Sequence, residues 1–262
     1  MDINQFTYNK SNPLRCFFAF EGYNSQGLAL NRIKRDYPDF DWICVGRSEI
    51  DPNAIKAANA LFPENIDKNF GDISRIDWDG VPDFDLFTYS FPCQDISNAG
   101  RQHGFAEGSG SRSSLLWECE KAIRAKRPKY LLMENVKALV QEKFKPDFYR
   151  WVNRLSDYGY ASYWEVLNAK DYGVPQNRER VFMVSILRTA DDPAPAYNFP
   201  APFTLTKCVE DYMIPAEDVP EDYFIGQERI TDKVLSDILD QKYVFMGMEK
   251  LYHEEWKEAL SR

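Results

Sequence analysis

LRCFFAFEGYNSQGLALNRIKRDYPDFDWICVGR, residues 14–47, reads as strand, turn, helix, strand. LRCFFAF is a short apolar and aromatic run, EGYNSQ is a polar turn, and the next segment places Leu28, Ile33 and Tyr37 at helical spacing. DWICVGR is a second strand ending in SEIDP, where Asp51 can cap a helix begun by Pro52. The alternation continues with strands over 84–89 and 129–134, helices over 113–125 and 146–158, and strands over 160–167 and 180–186. Strands alternating with helices imply βαβ units with right-handed crossovers, and so an α/β fold with a doubly wound, mostly parallel sheet.

Composition narrows the class. A chain of 262 residues with 44% hydrophobic and 15% aromatic content can bury a full-sized core. No apolar run approaches the roughly 20 residues of a membrane span, and the polar start MDINQFTYNKSNP does not fit a signal peptide, so the expected location is cytoplasmic. Five scattered cysteines with no CxxC pair, and only His103 and His253 beside them, predict reduced thiols and no metal site. The net charge of −9 is unevenly spread. Residues 1–187 carry 24 basic against 25 acidic side chains, whereas residues 188–262 carry 8 against 16, leaving room for a basic groove in the first part. The Pro- and Ala-rich segment DDPAPAYNFPAPF breaks the alternation and suggests a boundary near residue 188, with acidic helical patterns over 232–240 and 249–260 beyond it.

In an open parallel sheet, ligands bind beyond the carboxyl ends of the strands. After the first strand comes Phe20-Glu21-Gly22, whose single glycine fits a close backbone approach or an ordinary tight turn. After the second comes Glu49, suited to accept hydrogen bonds from a ribose or to cap a turn. With Asp72, these point to an adenosine-type cofactor. After the third comes Ser90-Phe91-Pro92-Cys93-Gln94. A free cysteine is ordinarily a small buried hydrophobe, but Pro92 imposes extended geometry before it and the following loop is polar, so the thiol should emerge into a cleft. A nucleophilic thiol needs thiolate character, which nearby arginines supply. Arg178 and Arg180, in PQNRER, stand two residues apart before a strand and should point to one side. Glu134, after KYLLM, is poorly placed for mere solubility and well suited to share a proton with a substrate nitrogen.

Taken together, FPCQ (Cys93), MENV (Glu134) and YGVPQNRERVFMV (Gln176, Arg178, Arg180) resemble motifs of the cytosine-C5 DNA methyltransferases of restriction–modification systems, in that order and spacing. The FEG turn resembles that family's cofactor motif, usually FAG. The likeness runs from about residue 14 to 225. It implies a Rossmann-like fold of the S-adenosylmethionine-dependent methyltransferase type, with a catalytic and cofactor-binding domain over 1–188 and a partial target-recognition region over 189–262. It further implies S-adenosylmethionine as cofactor, held by Phe20, Gly22, Glu49, Ile50, Asp72, Ile73, Pro92 and Leu115. Duplex DNA is the implied substrate, contacted also by Gln94, Ser97 and Gln176. Cys93 then adds to C6 of a flipped cytosine, while Glu134, Arg178 and Arg180 stabilise the charge that develops. The loop over 100–112 resembles the family's mobile loop.

Residues 189–262 depart from the pattern, with no GN[SA] tripeptide and no basic recognition stretch. Two explanations stand: a catalytic part completed by a second subunit, or a shortened chain unable to bind DNA specifically. A cognate restriction enzyme is the other implied partner, and no membrane is. Three other readings stay open: an RNA cytosine methyltransferase, a nucleotide-dependent oxidoreductase using Glu49 on its ribose, and an inactive cofactor-binding interaction protein.

Overall fold

A computed structural model describes residues 7–92 and 115–218. Among these, one sheet contains β1 (Leu14–Ala19), β2 (Trp42–Ser48), β3 (Leu86–Tyr89), β4 (Tyr130–Val136), β5 (Tyr160–Asn168) and β6 (Glu179–Leu187), in the spatial order β2-β1-β3-β4-β6-β5. The helices are α1 (Ser25–Asp36), α2 (Pro52–Leu61), α3 (Leu116–Lys126) and α4 (Lys145–Asp157). The acidic patterns expected over 232–240 and 249–260 lie outside the described residues.

Both faces of the central strands are covered, which is why β1 is apolar at consecutive positions. Cys16 and Phe18 of β1 pack with Leu30 of α1 and with Trp42 and Cys44 of β2. The Trp42 indole N–H donates to Asn31 Oδ1 at 3.1 Å, tying α1 to β2. Phe17 and Ala19 face the other way, into a larger core with Phe87, Tyr89, Leu131 and Met133. There Trp151 of α4 packs edge-on against Tyr89 and Trp117, and Phe148 against Trp164. Burying each such large apolar side chain contributes roughly 1.5–3 kcal/mol.

The expected mostly parallel sheet is present, with β6 as its exception: it runs antiparallel to both β4 and β5. Only residues 169–178 connect β5 to β6, with a short 3-10 turn at Ala169–Tyr172 and no α-helix. A parallel neighbour needs a crossover of a dozen or more residues, so so short a connection enforces the antiparallel pairing. This insertion has a consequence for the site. β4 continues to Val136, so Glu134 lies inside the strand opposite Phe182, not after its end as the apolar run KYLLM suggests. Arg180, two residues further along that ladder, stands opposite Val136.

The chain divides into two compact units, Met1–Lys207 and Cys208–Arg262. Within the first, the Pro- and Ala-rich segment is fastened rather than free. Tyr163 and Tyr172 donate their hydroxyls to the carbonyls of Pro195 and Pro200, and the Phe203 N–H donates to the carbonyl of Asp171. The described part of the second unit holds two short 3-10 turns, Glu210–Tyr212 and Ala216–Asp218.

Candidate active site

β1 has β2 on one side and β3 on the other, so the chain leaves it in one direction and returns on the opposite side. Such a reversal of strand order opens a crevice at the carboxyl ends. The register Ala19↔Tyr89 sets the turn after β1 beside residues 90–92 after β3.

The turn after β1 is conformationally demanding. Phe20, Gly22 and Asn24 all have left-handed backbone, with φ of 55°, 61° and 63°. For residues other than glycine this costs about 1–2 kcal/mol each, offset here by surrounding contacts. Asn24 caps α1 by accepting from the Gly27 N–H at 2.7 Å. The Gly22 N–H donates to Glu49 Oε2 at 2.8 Å, and Glu49 Oε1 accepts from the N–H groups of Ile50 and Asp51. Asn69 clamps Glu49 from behind: its Oδ1 accepts from the N–H groups of Glu49 and Gly71, and its amide donates to the Glu49 carbonyl. Asp72 follows directly and accepts from the N–H and hydroxyl of Ser74, which hold its carboxyl below the usual range.

The predicted cofactor residues therefore divide by role. Phe20 and Leu115 are partly buried against the main core, Ile73 is fully within it, and Ile50 is 69% exposed beside Glu49. Gly22 and Glu49 touch directly.

At the β4–β6 edge, Arg180 Nε lies 3.1 Å from Glu134 Oε1. A cleft of about 470 Å³ opens alongside, lined by Val136, Gln141, Gln176, Arg178 and Arg180 among others. Arg178 precedes β6 and is exposed; its N–H donates to Asn168 Oδ1 at 3.0 Å, which secures the loop against the end of β5. Pro92 is the last described residue on its side of the crevice, and Cys93, Gln94, Ser97 and the loop over 100–112 lie outside the described residues.

Four contributing residues escape a motif reading. Asn135, buried at the end of β4, donates its amide to the Phe91 carbonyl at 3.0 Å and so holds the segment leading to Pro92. Asn69 joins the Glu49 and Asp72 loops. Glu21 and Arg47 form a buried ion pair, Nη1 to Oε2 at 2.9 Å, with both side chains only 1% exposed. The signal available for this pair was a charge inside each of two apolar stretches, FFAFEG and ICVGRS.

Comparison with known proteins shows the family to which the chain belongs. A family model described as C-5 cytosine-specific DNA methylase matches residues 18–258. The type II methyltransferase M2.ScrFI of Lactococcus lactis subsp. cremoris is 47% identical, over 88% of this chain and 76% of its own length. The orphan methyltransferase M.SssI of Spiroplasma monobiae is 46% identical over 68% of this chain, and the type II methyltransferase M.HhaI of Haemophilus parahaemolyticus is 34% identical over 79%. The chain spans 61% and 58% of the lengths of these last two. In fold it resembles the Entamoeba histolytica methyltransferase EhMeth, with a TM-score of 0.61, 19% identity, and 84% of this chain and 65% of that one covered. The S. pombe Dnmt2 methyltransferase gives a TM-score of 0.57 at 19% identity, covering 83% of this chain and 64% of that one.

Proposed function

The chain belongs to the C-5 cytosine-specific DNA methylase family, and we propose that it transfers a methyl group from S-adenosylmethionine to C5 of cytosine in duplex DNA. The observation that carries this reading is the meeting, at one sheet edge, of the Arg180–Glu134 pair with the segment that Asn135 holds in front of Cys93. Bound S-adenosylmethionine supplies the electrophilic methyl group.

The residues after β1 and β2 fit that cofactor chemically. A carboxylate offers about four acceptor positions, and three backbone N–H groups occupy Glu49, leaving capacity for a ribose hydroxyl. The Phe20 ring and the exposed Ile50 side chain provide apolar surface nearby for adenine. Gly22, Asp72, the buried Ile73, and Pro92 and Leu115, both partly buried, complete the set proposed to bind it.

On the base side, C5 of cytosine is a weak nucleophile. The Cys93 thiolate adds at C6, and the new S–C bond pushes electron density to C5, which would take the methyl group as its bond to the cofactor's sulfonium sulfur breaks and S-adenosylhomocysteine leaves. Glu134 shares a proton with N3 and accepts from the exocyclic amine, and Arg180 donates to the carbonyl oxygen, so the charge that develops on the ring is stabilised by prepositioned groups. Arg178 adds a further positive charge at the cleft, and Gln94, Ser97 and Gln176 contact DNA around the target. A base takes the C5 proton, the C–S bond breaks, and Cys93 departs as thiolate. C6 is shielded inside a stacked duplex, so the cytosine leaves the helix first.

Residues 189–262 are proposed to be a partial recognition region. Because residues 188–262 carry 16 acidic against 8 basic side chains, a second polypeptide is proposed to supply much of the phosphate contact, as a subunit of a cytoplasmic restriction–modification system. No helix among the described residues is long and apolar enough to cross a membrane.

The test uses radiolabelled S-adenosylmethionine and mixed duplex DNA, with and without neighbouring gene products. Transfer should appear or rise with a partner and vanish in Cys93→Ser. DNA containing 5-fluorocytosine, which has no C5 proton to lose, should trap a covalent complex. Methylation that survives Cys93→Ser would sink the assignment.

A further inference from the structure

We infer that Glu21 is a positioning residue for the cofactor site, keyed to Arg47 beneath the turn after β1. The inference rests on the reading that this turn and Glu49 hold S-adenosylmethionine. Three successive residues at the end of β2 each grip the turn by a different kind of bond. The Arg47 guanidinium meets the Glu21 carboxylate at 2.9 Å, the Ser48 carbonyl accepts from the Glu21 N–H at 3.3 Å, and the Glu49 carboxylate accepts from the Gly22 N–H at 2.8 Å.

Arg47 is itself held on its remaining sides. Its Nε donates to the Asn65 carbonyl at 3.1 Å, and its Nη2 donates to Asn59 Oδ1 of α2 and to the Ile66 carbonyl. The guanidinium fork thus couples α2, the 3-10 turn Pro63–Lys68 and the end of β2 to one point, the Glu21 side chain. That point lies between Phe20 and Gly22, two of the residues proposed to touch the cofactor, in a turn whose left-handed backbone needs external support.

A buried ion pair is a poor device for stability, because desolvating both charges consumes most of their attraction, and a well-packed apolar pair serves as well. Burial pushes the Glu21 carboxyl up against the pull of Arg47, the sign of that desolvation. What an apolar pair lacks is direction. A carboxylate gripped by a fork that is hydrogen-bonded on its other sides has one place to sit, and it fixes the pitch of the turn, hence the position of the Gly22 N–H and the Phe20 ring.

The experiment measures S-adenosylhomocysteine binding to the full chain by calorimetry, beside thermal unfolding. Glu21→Gln should weaken binding at least about tenfold while the protein stays folded at the titration temperature. The double variant E21L/R47M, which removes both charges and keeps the volume, should recover the unfolding temperature yet remain about tenfold weaker in binding. Asn59→Ser loosens the fork without stranding a buried charge and should weaken binding by a smaller factor, so the inference stays testable even where Glu21→Gln fails to fold. A stable E21L/R47M protein that binds like the wild type would overturn it, reducing the pair to a packing feature. Wild-type protein that binds no S-adenosylhomocysteine would instead overturn the cofactor reading.

Discussion

At the β1–β2 edge the charged side chains are sealed in, Glu21 and Arg47 being 1% exposed, whereas at the β4–β6 edge Arg180 and Glu134 remain 23% and 28% exposed beside an open cleft. The first edge is a finished structure: Arg47 holds Glu21, and Glu49 is held by the Gly22 N–H and by Asn69, before any ligand arrives. The second is an exchangeable one, because a water-accessible ion pair contributes little and gives way readily to a substrate's own hydrogen bonds. One half presents a site of fixed geometry, and the other is the half proposed to accept a base delivered from outside.

That contrast makes distinct demands on variants of the two halves. Cys93→Ser should reduce methyl transfer by at least about 10³-fold, since losing the proposed nucleophile would disable the catalytic unit as a whole. Its S-adenosylhomocysteine affinity should be unchanged, and a parallel fall in affinity would show that the halves are not separate. Glu134→Gln should lower the single-turnover rate by about 10²–10⁴-fold, the usual worth of a positioned proton-sharing group. Combined with Arg180→Ala, the loss should fall short of the two single losses multiplied, because the groups meet at 3.1 Å. Full multiplicativity would mean that they act independently.

Asn135→Ala tests the latch between β4 and the segment before Cys93. Removing the hydrogen bond to the Phe91 carbonyl should cost about 0.5–1.5 kcal/mol in denaturant unfolding and lower the rate of 5-fluorocytosine trapping. Trapping at the wild-type rate would remove Asn135 from the site. The smallest effect belongs to Asp72, whose folded-state pKa lies below its unfolded value near 3.9, chiefly through the Ser74 N–H. Its stabilisation is therefore present above the unfolded value and lost as pH falls through the lowered folded one. Asp72→Asn should flatten that acid limb of the stability curve, lowering stability slightly at neutral pH and leaving it nearly unchanged below the folded-state pKa.

Much of the architecture was readable in advance because strands buried on both faces are apolar at near-consecutive positions, as Cys16, Phe17 and Phe18 are. The Pro52 helix start and its Asp51 cap were legible for the same local reason: Asp51 Oδ1 accepts the N–H groups of Asn53 and Ala54. The reversed direction of β6 was less so, since strand patterning carries no sign of which neighbour a strand will choose. Placing Glu134 after its strand followed from equating the end of an apolar run with the end of pairing. In fact β6 extends the ladder past it, because Asn135 and Val136 find partners in Val181 and Arg180.

What the sequence by itself determined is the set of candidate reactive groups and their order: a cysteine behind a proline, a carboxylate closing an apolar run, and two arginines at the head of another strand. Those depend on residue type and local geometry, which lie along the chain. Only the tertiary structure decided that Glu134 meets Arg180, that Asn135 braces the segment before Cys93, and that Glu21 finds Arg47 across 26 residues. Each is a long-range contact made when strands pair, and a buried polar group takes whichever partner the packing brings within reach.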